Sequence, residues 1–468
     1  MLDRFFHLSE NQTNVRTELL AGVTTFLTMA YIIVVQPMIL SGKMGGHDTG
    51  MDFGAVTTAT CIAAALASAI MGLYGRYPIA QAPCMGENFF FVSLVTGSTA
   101  VMSWQIGLGV VFYSGVIFLL LSMLGVREKL MEAISPSMRN GIAVGIGLFI
   151  VLIGLHTTHL LQPSPTAGWK LNPQFASPDL IVFFLGLLVT AALHARRVRG
   201  SIILGIVAAT LFAAGLKLGL PLLGPRIAEL PLVKESMLAK QFAFAGGWVA
   251  MPPSIKPTLF QLDLIAPVTS WKMAPFILIF LFMVLFDTLG TLIGVAEQAG
   301  LVRDNRLPRA RQALMSDAVG TVAGAALGTS TVTSFIESAA GVEQGGRTGL
   351  TALVAAVLFL LALFFSPIIN MIGSYPPITA PALVVVGTMM MRNVTKIDWD
   401  NYAESLPAFL VVAGIPLCYS IADGLALGFI AYPLVKLLSG QGRDVKWLMY
   451  VMAVVLVVYF VVVRVPMA

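Results

Sequence analysis

Three acidic side chains sit where acids are rare. Asp287 lies in LFDTLGTLIGVA (285–296) and Glu337 in GTSTVTSFIESAAGV (328–342). Glu87 stands beside Asn88 in PIAQAPCMGENFFFV (78–92). An ionisable group deep in an apolar span is expensive, by about 2.5–3.5 kcal/mol on insertion scales, and usually faces a cavity or a partner. Carboxylates accept N–H hydrogen bonds with charge-assisted strength, and an asparagine amide donates and accepts at once. Such a set suits a ring bearing both N–H donors and nitrogen acceptors. A carboxylate withdrawn from water also holds a proton more readily, so the same groups are candidates for coupling a proton to the ligand.

Each residue has a plainer reading beside the functional one. Asp287 reads as a cavity carboxylate, and Thr288 and Thr291 next to it favour a polar cavity over an internal helix-holding pair. Glu337 reads as a ligand- or proton-binding group because of the broken segment it occupies; the alternative is capping of backbone freed by the break. Asn88 suits a heterocycle or interhelical hydrogen bonding, and Glu87 either faces the cavity or ties two domains together. Ser334 belongs to the same polar run as Glu337. One of Phe89 to Phe91 is a candidate for stacking on a ring, although packing accounts for most such residues. Asp317 reads as a partner of Arg309 or Arg311 or as a helix cap, Glu297 as an acid that snorkels to water, and Asp423 as a helix-start residue.

Other chemistry is poorly represented. HTTH (156–159) lies at a span boundary without a nearby Cys, Asp or Glu, and Cys61, Cys84 and Cys418 lack metal-ligand spacing, so no metal or other cofactor is expected. GIAVGIG (141–147) has no preceding strand and reads as small-residue helix packing. No HExxH, GxSxG or Walker motif occurs, and nothing assembles a nucleophile with a base. These features point away from an enzyme and toward an ion-gradient-driven transporter.

The elements that must position these side chains are membrane helices. Of 468 residues, 57% are hydrophobic and 11% charged, with mean hydropathy +0.88. Soluble domains carry about 25% charge. Apolar runs of about 20 residues, each able to span a bilayer as a helix, recur at 17–41, 54–74, 79–97, 101–125, 138–157, 178–195 and 200–220, then at 271–299, 310–328, 329–345, 348–373, 377–392, 405–419 and 421–438. A Pro- and Gly-rich loop (221–270) divides the sets, and a further run covers 447–465. With a cytoplasmic N-terminus, the loops after even-numbered spans hold Arg76; Arg127, Lys129 and Arg139; Arg196, Arg197 and Arg199; Arg303, Arg306, Arg309 and Arg311; Arg347; Arg392 and Lys396; and Lys436, Arg443 and Lys446. That alternation obeys the positive-inside rule. The net charge of +5 therefore reflects topology, and nucleic acid is not an expected partner. No cleavable leader is expected from the polar residues 1–18.

Two sets of seven spans imply an inverted repeat, since an odd number reverses orientation. In such folds, short Gly/Pro-interrupted segments at matching positions mark the ligand site. The third and tenth spans, which hold Glu87, Asn88 and Glu337, are such a pair. Extended backbone there is expected to feed short helices whose first N–H groups are free.

The segments APCMGENFFF (82–91), LFDTLGTLIGVA (285–296) and TSTVTSFIESAAGVEQGGRTGL (329–350), with TELLAGVTTFLTMAYIIVVQP (17–37) and KIDWDNYAESLPAFL (396–410), resemble the azaguanine-like purine permeases, a branch of the nucleobase–ascorbate transporters. The resemblance covers nearly the whole chain. It implies an all-α fold of fourteen spans in a seven-plus-seven inverted repeat. Core regions would be 1–125 and 271–373, gate regions 126–220 and 374–438, the linker loop 221–270 and a C-terminal apolar segment 439–468. It implies import of a purine nucleobase (adenine, guanine or hypoxanthine) with a proton or sodium ion across the cytoplasmic membrane, by elevator-like motion, and dimer contacts through the gate. Asp287, Glu337 and Asn88 match the branch's binding positions. Cys84 and Glu87 depart from it, standing where the branch has glycine and leucine, which leaves the choice of base open. Uracil or xanthine, or a small anion such as sulfate or bicarbonate, would suit the same fold; paired carboxylates count against an anion.

Overall fold

The computed structural model describes residues 2–43, 48–96, 102–124, 134–164, 168–220, 230–299, 301, 308–419 and 421–458. Arg127, Lys129, Arg303 and Arg306, read above as loop charges, lie outside the described residues, as do positions 459–465 of the last apolar run and the side chain of Glu297.

The first set of helices comprises α1 (Val15–Met29), α2 (Ile32–Leu40), α3 (Phe53–Ile70), α4 (Met85–Val95), α5 (Trp104–Leu124), α6 (Pro136–Thr157), α7 (Pro178–Ala195) and α8 (Ser201–Gly219). The second comprises α9 (Ala274–Gln298), α10 (Ala310–Leu327), α11 (Ser338–Glu343), α12 (Gly349–Ala362), α13 (Ser366–Gly373), α14 (Ala380–Met390), α15 (Tyr402–Leu417) and α16 (Ile421–Leu438), followed by α17 (Trp447–Val458). Among the described residues, seven helices are long and apolar enough to cross a membrane: α1 with α2, α3 with its extension to Gly75, α5, α6, α7, α8, and α12 with α13. Side-chain oxygens set many of the starts. Asn14, Asp52, Ser135, Ser177, Thr348 and Asn401 each accept a backbone N–H from the first turn of the helix that follows, which satisfies donors that a helix cannot satisfy for itself. Asp423 falls in the first turn of α16, as its sequence context suggests.

The two sets pack as inverted copies. Helix α3 lies on α12 and its counterpart α10 on α5; α1 lies on α12 and its counterpart α9 on α5; α7 pairs with α8 as α15 pairs with α16. Small residues permit this closeness, as expected within lipid. A Cβ on Gly349 would collide with the Gly72 backbone. In GIAVGIG, Gly141 faces Ala408, Gly145 faces Val411 and Gly147 faces Gly387, so this run is helix packing, as its spacing indicates.

At the centre, backbone leaves the helical state twice. Strands β1 (Gln81–Pro83) and β4 (Val332–Ser334) pair antiparallel, with Gln81 opposite Ser334 and Pro83 opposite Val332. Extended backbone at this depth must find internal hydrogen bonds, and the repeats solve this in the same way. Ser68 on α3 accepts from Gln81 N at 2.8 Å and donates to Gln81 O at 3.0 Å. Thr321 on α10 accepts from Val332 N at 3.2 Å and donates to Val332 O at 3.0 Å. One hydroxyl thus clips each strand.

A second hairpin, β2 (Leu161–Ser164) with β3 (Gly168–Leu171), occupies the connection after α6. Its strands are short and polar and gave no alternating signal. Trp169 of this hairpin packs edge-on against His156 at 5.2 Å and lies near Tyr419 at 5.9 Å. The described part of the long linker is strapped to helix ends: Asp179 accepts from Met237 N and Leu238 N, Thr58 donates to Pro253 O, and Phe260 N donates to Ala326 O.

Candidate ligand site at the crossed strands

Helix α4 begins directly after β1 and α11 shortly after β4, so the crossing strands bring Cys84, Glu87 and Asn88 together with Ser330 to Glu337. Cys84, the N-cap of α4, extends the pairing by donating its N–H to Thr331 O at 2.9 Å. Asn88 N is bonded to Cys84 O at 3.3 Å; the preceding N–H groups of Met85, Gly86 and Glu87 form the open first turn of the helix. Helix α9 passes alongside and delivers Asp287.

The two carboxylates singled out from sequence converge here. Thr333 Oγ1 donates to Asp287 Oδ2 at 3.0 Å and Cys84 Sγ lies 3.4 Å from the same oxygen. Glu337 accepts from the Tyr31 hydroxyl at 2.7 Å. Both side chains are partly exposed, which leaves acceptor capacity for a ligand. Glu87 is only 2% exposed, and its carboxylate lies beside Cys84 and Asp287. Thr288 is fully buried.

Three expectations change. Asn88 is 0% exposed: its amide pairs with that of Gln36, which donates to Asn88 Oδ1 at 3.0 Å and accepts from Nδ2, and Ser330 also donates to Oδ1. In this conformation Asn88 holds α4 to α2 and to the segment that leads into β4, and its amide is occupied by these partners. Ser334 likewise turns away, because its hydroxyl donates to Asp317 at 3.0 Å and its N–H at 3.3 Å. Successive strand residues face opposite sides, so Thr333, not Ser334, reaches Asp287. Asp317, read as a partner of Arg309 or Arg311, instead anchors β4, and among the described residues it forms no ion pair with either.

The phenylalanines divide cleanly. Phe90 packs on Phe280 at 4.8 Å and Phe91 fills the space over Gly107. Phe89, 7% exposed, meets Phe149 of α6 edge-on at 6.1 Å. Neither Tyr31 nor Gln36 is singled out in the sequence analysis. The available signal was a phenol and an amide inside an apolar span, each of which needs a buried partner.

A family model for permeases matches residues 16–427. The chain belongs to this permease family. Relatives align end to end: the permease is 41% identical to the guanine/hypoxanthine permease PbuG of Bacillus subtilis, over 98% of this chain and 99% of that one. It is 37% identical to the adenine permease AdeQ of Escherichia coli, over 97% and 94%. Among solved structures, the transmembrane domain of the cyanobacterial bicarbonate transporter BicA superimposes with TM-score 0.61 at 15% identity, over 90% of this chain and 97% of that chain. At that identity the likeness concerns the fold, the seven-plus-seven inverted repeat. The permease is therefore a multi-pass membrane transporter and not an enzyme.

Proposed function

We propose that this permease imports purine nucleobases by symport with a cation, a proton being the coupling ion. The observation that carries the reading is the convergence of Asp287 and Glu337 on the crossed strands, Asp287 held by Thr333 and Cys84 and Glu337 by Tyr31, both with exposed acceptor capacity. A neutral purine presents N–H donors to both carboxylates. Its ring nitrogens meet the open N–H groups at the start of α4, and Phe89 is the ring available for stacking. Asn88, with Gln36 and Ser330, fixes the strand crossing that sets the spacing of these groups. Relatives named for guanine/hypoxanthine and for adenine, aligned over their full lengths, support the purine class.

Residues 1–125 and 271–373 act as a core that carries the site, and 126–220 and 374–438 as a gate against which it slides in elevator fashion, with dimer contacts on the gate. The N-terminus is cytoplasmic, and the membrane is the cytoplasmic one. Moving one positive charge down about 100 mV supplies roughly 2.3 kcal/mol, about a 50-fold accumulation. The anion reading is weaker, because two carboxylates would repel the cargo.

The test is uptake of radiolabelled adenine, guanine and hypoxanthine into cells lacking their own purine permeases, with and without a protonophore and with sodium replaced. Saturable uptake that collapses with the protonophore is the expected result. Uptake that follows sodium instead would replace the proton, and no uptake by protein shown to be in the membrane would overturn the purine assignment.

A further inference from the structure

We propose that Cys84, Glu87 and Asp287 form a binding site for a borderline-soft divalent cation of the zinc and cadmium class, and that occupancy blocks the ligand site. One ligand atom from each residue lies within 4.8 Å of the others. The Cys84 Sγ to Asp287 Oδ2 separation is 3.4 Å. Zinc binds sulfur at about 2.3 Å and carboxylate oxygen at about 2.0–2.2 Å, usually in a tetrahedron. Two ligand atoms on one such ion therefore sit roughly 3.5 Å apart, close to the spacing of this pair. Glu87, in the first turn of α4 and three residues after Cys84, offers the third ligand atom.

Charge and donor type point the same way. Two carboxylates and a thiol face one another, and among the described residues neither carboxylate forms an ion pair with Lys, Arg or His. A thiolate ligand selects against magnesium, calcium and the alkali ions and in favour of softer metals. An independent observation lies directly before β4. Thr331 is 0% exposed, and among the described residues its hydroxyl lacks a hydrogen-bond partner. Its carbonyl continues the strand pairing by accepting from Cys84 N, so alternation puts its side chain on the same face as Thr333, whose hydroxyl reaches Asp287. An uncommitted buried oxygen thus faces the cluster, where it can bond a metal-bound water in the fourth position. Cys84 and Asp287 are partly exposed, so the ion has a route in. Binding releases the thiol proton to solvent. Because the ion takes up the Asp287 carboxylate, it excludes a ligand that needs that acceptor; this last step rests on the nucleobase reading.

The experiment uses purified full-length protein in a Cys418→Ser background, since Cys418 is the exposed thiol and Cys61 is fully buried. Cadmium chloride is titrated while the cadmium–thiolate ultraviolet band is followed, and bound metal is counted after desalting. One equivalent with a thiolate band is expected. Cys84→Ser and Cys84→Gly should each lose the band and raise the cadmium Kd at least about tenfold, the loss that even an outer-shell partner produces. Thermal unfolding of each variant confirms that it is folded. Undiminished cadmium binding by folded Cys84 variants, or no band in the parent, overturns the site. Displacement of cadmium by adenine, guanine or hypoxanthine ties the metal to the ligand site. Binding that none of the bases displaces leaves the metal site standing and counts against the nucleobase reading of the cavity.

Discussion

The hydroxyl of Tyr31 donates to the Glu337 carboxylate at 2.7 Å, joining the bend between α1 and α2 to the residue directly before α11. Thr28 reinforces the junction by donating to the Glu337 carbonyl at 3.3 Å. The carboxylate that the site depends on is thus aimed from the opposite repeat.

Tyr31→Phe removes that hydroxyl and little else. A hydrogen bond to a charged group contributes about 1.5–3 kcal/mol, so initial-rate kcat/KM for the transported base should fall by about tenfold or more. Membrane abundance should stay constant. Wild-type kinetics in this variant would mean that Glu337 holds its position without Tyr31.

Asp287→Ala and Glu337→Ala should each abolish uptake while the protein still reaches the membrane, because each removes an acceptor proposed to meet a ligand N–H. Uptake assays are paired with surface quantification by immunoblot. Full transport by either variant would remove that residue from the site.

The two strand clips should be equivalent in stability as they are in geometry. Ser68→Ala and Thr321→Val each strip a hydroxyl that serves both an N–H and a C=O of a central strand. Leaving a buried polar group unbonded costs about 1–3 kcal/mol. Thermal unfolding of detergent-solubilised protein should show similar Tm losses for the two. A large loss in one and none in the other would mean that the repeats do not share this support.

Helix contact and helix position can be told apart with glycine. Gly349→Ala would drive a Cβ into the Gly72 backbone, which cannot yield as a flexible side chain would, and folded protein in the membrane should drop sharply. Gly215→Ala on α8 has open space within 4 Å and should be tolerated or stabilise by about 0.5–1 kcal/mol. Fluorescence-detected size exclusion measures both, and equal outcomes would contradict the packing described.

Sequence by itself determined the membrane helices, their division into two sets and the two broken segments, and it marked Asp287 and Glu337 as acids out of place in lipid. Those features are local: a run of apolar residues long enough for a bilayer, a proline and glycines that interrupt it, and a charge where lipid would reject one. The hairpin at Leu161–Leu171 escaped because its four-residue strands are too short and polar for periodicity to register.

What only the tertiary structure decided was the direction in which each polar side chain points. Thr333 and Ser334 are neighbours of similar chemistry, yet one reaches Asp287 and the other Asp317. Alternation fixes that they diverge. Which of them faces the site depends on how β4 pairs with β1, a strand from the other repeat. Asn88 is likewise open in the sequence between ligand and helix contact, and in the fold Gln36 occupies its amide. Buried polar groups must be satisfied by whatever the fold brings within about 3 Å, and those partners come from spans far apart in the chain, where sequence pattern carries no record of them.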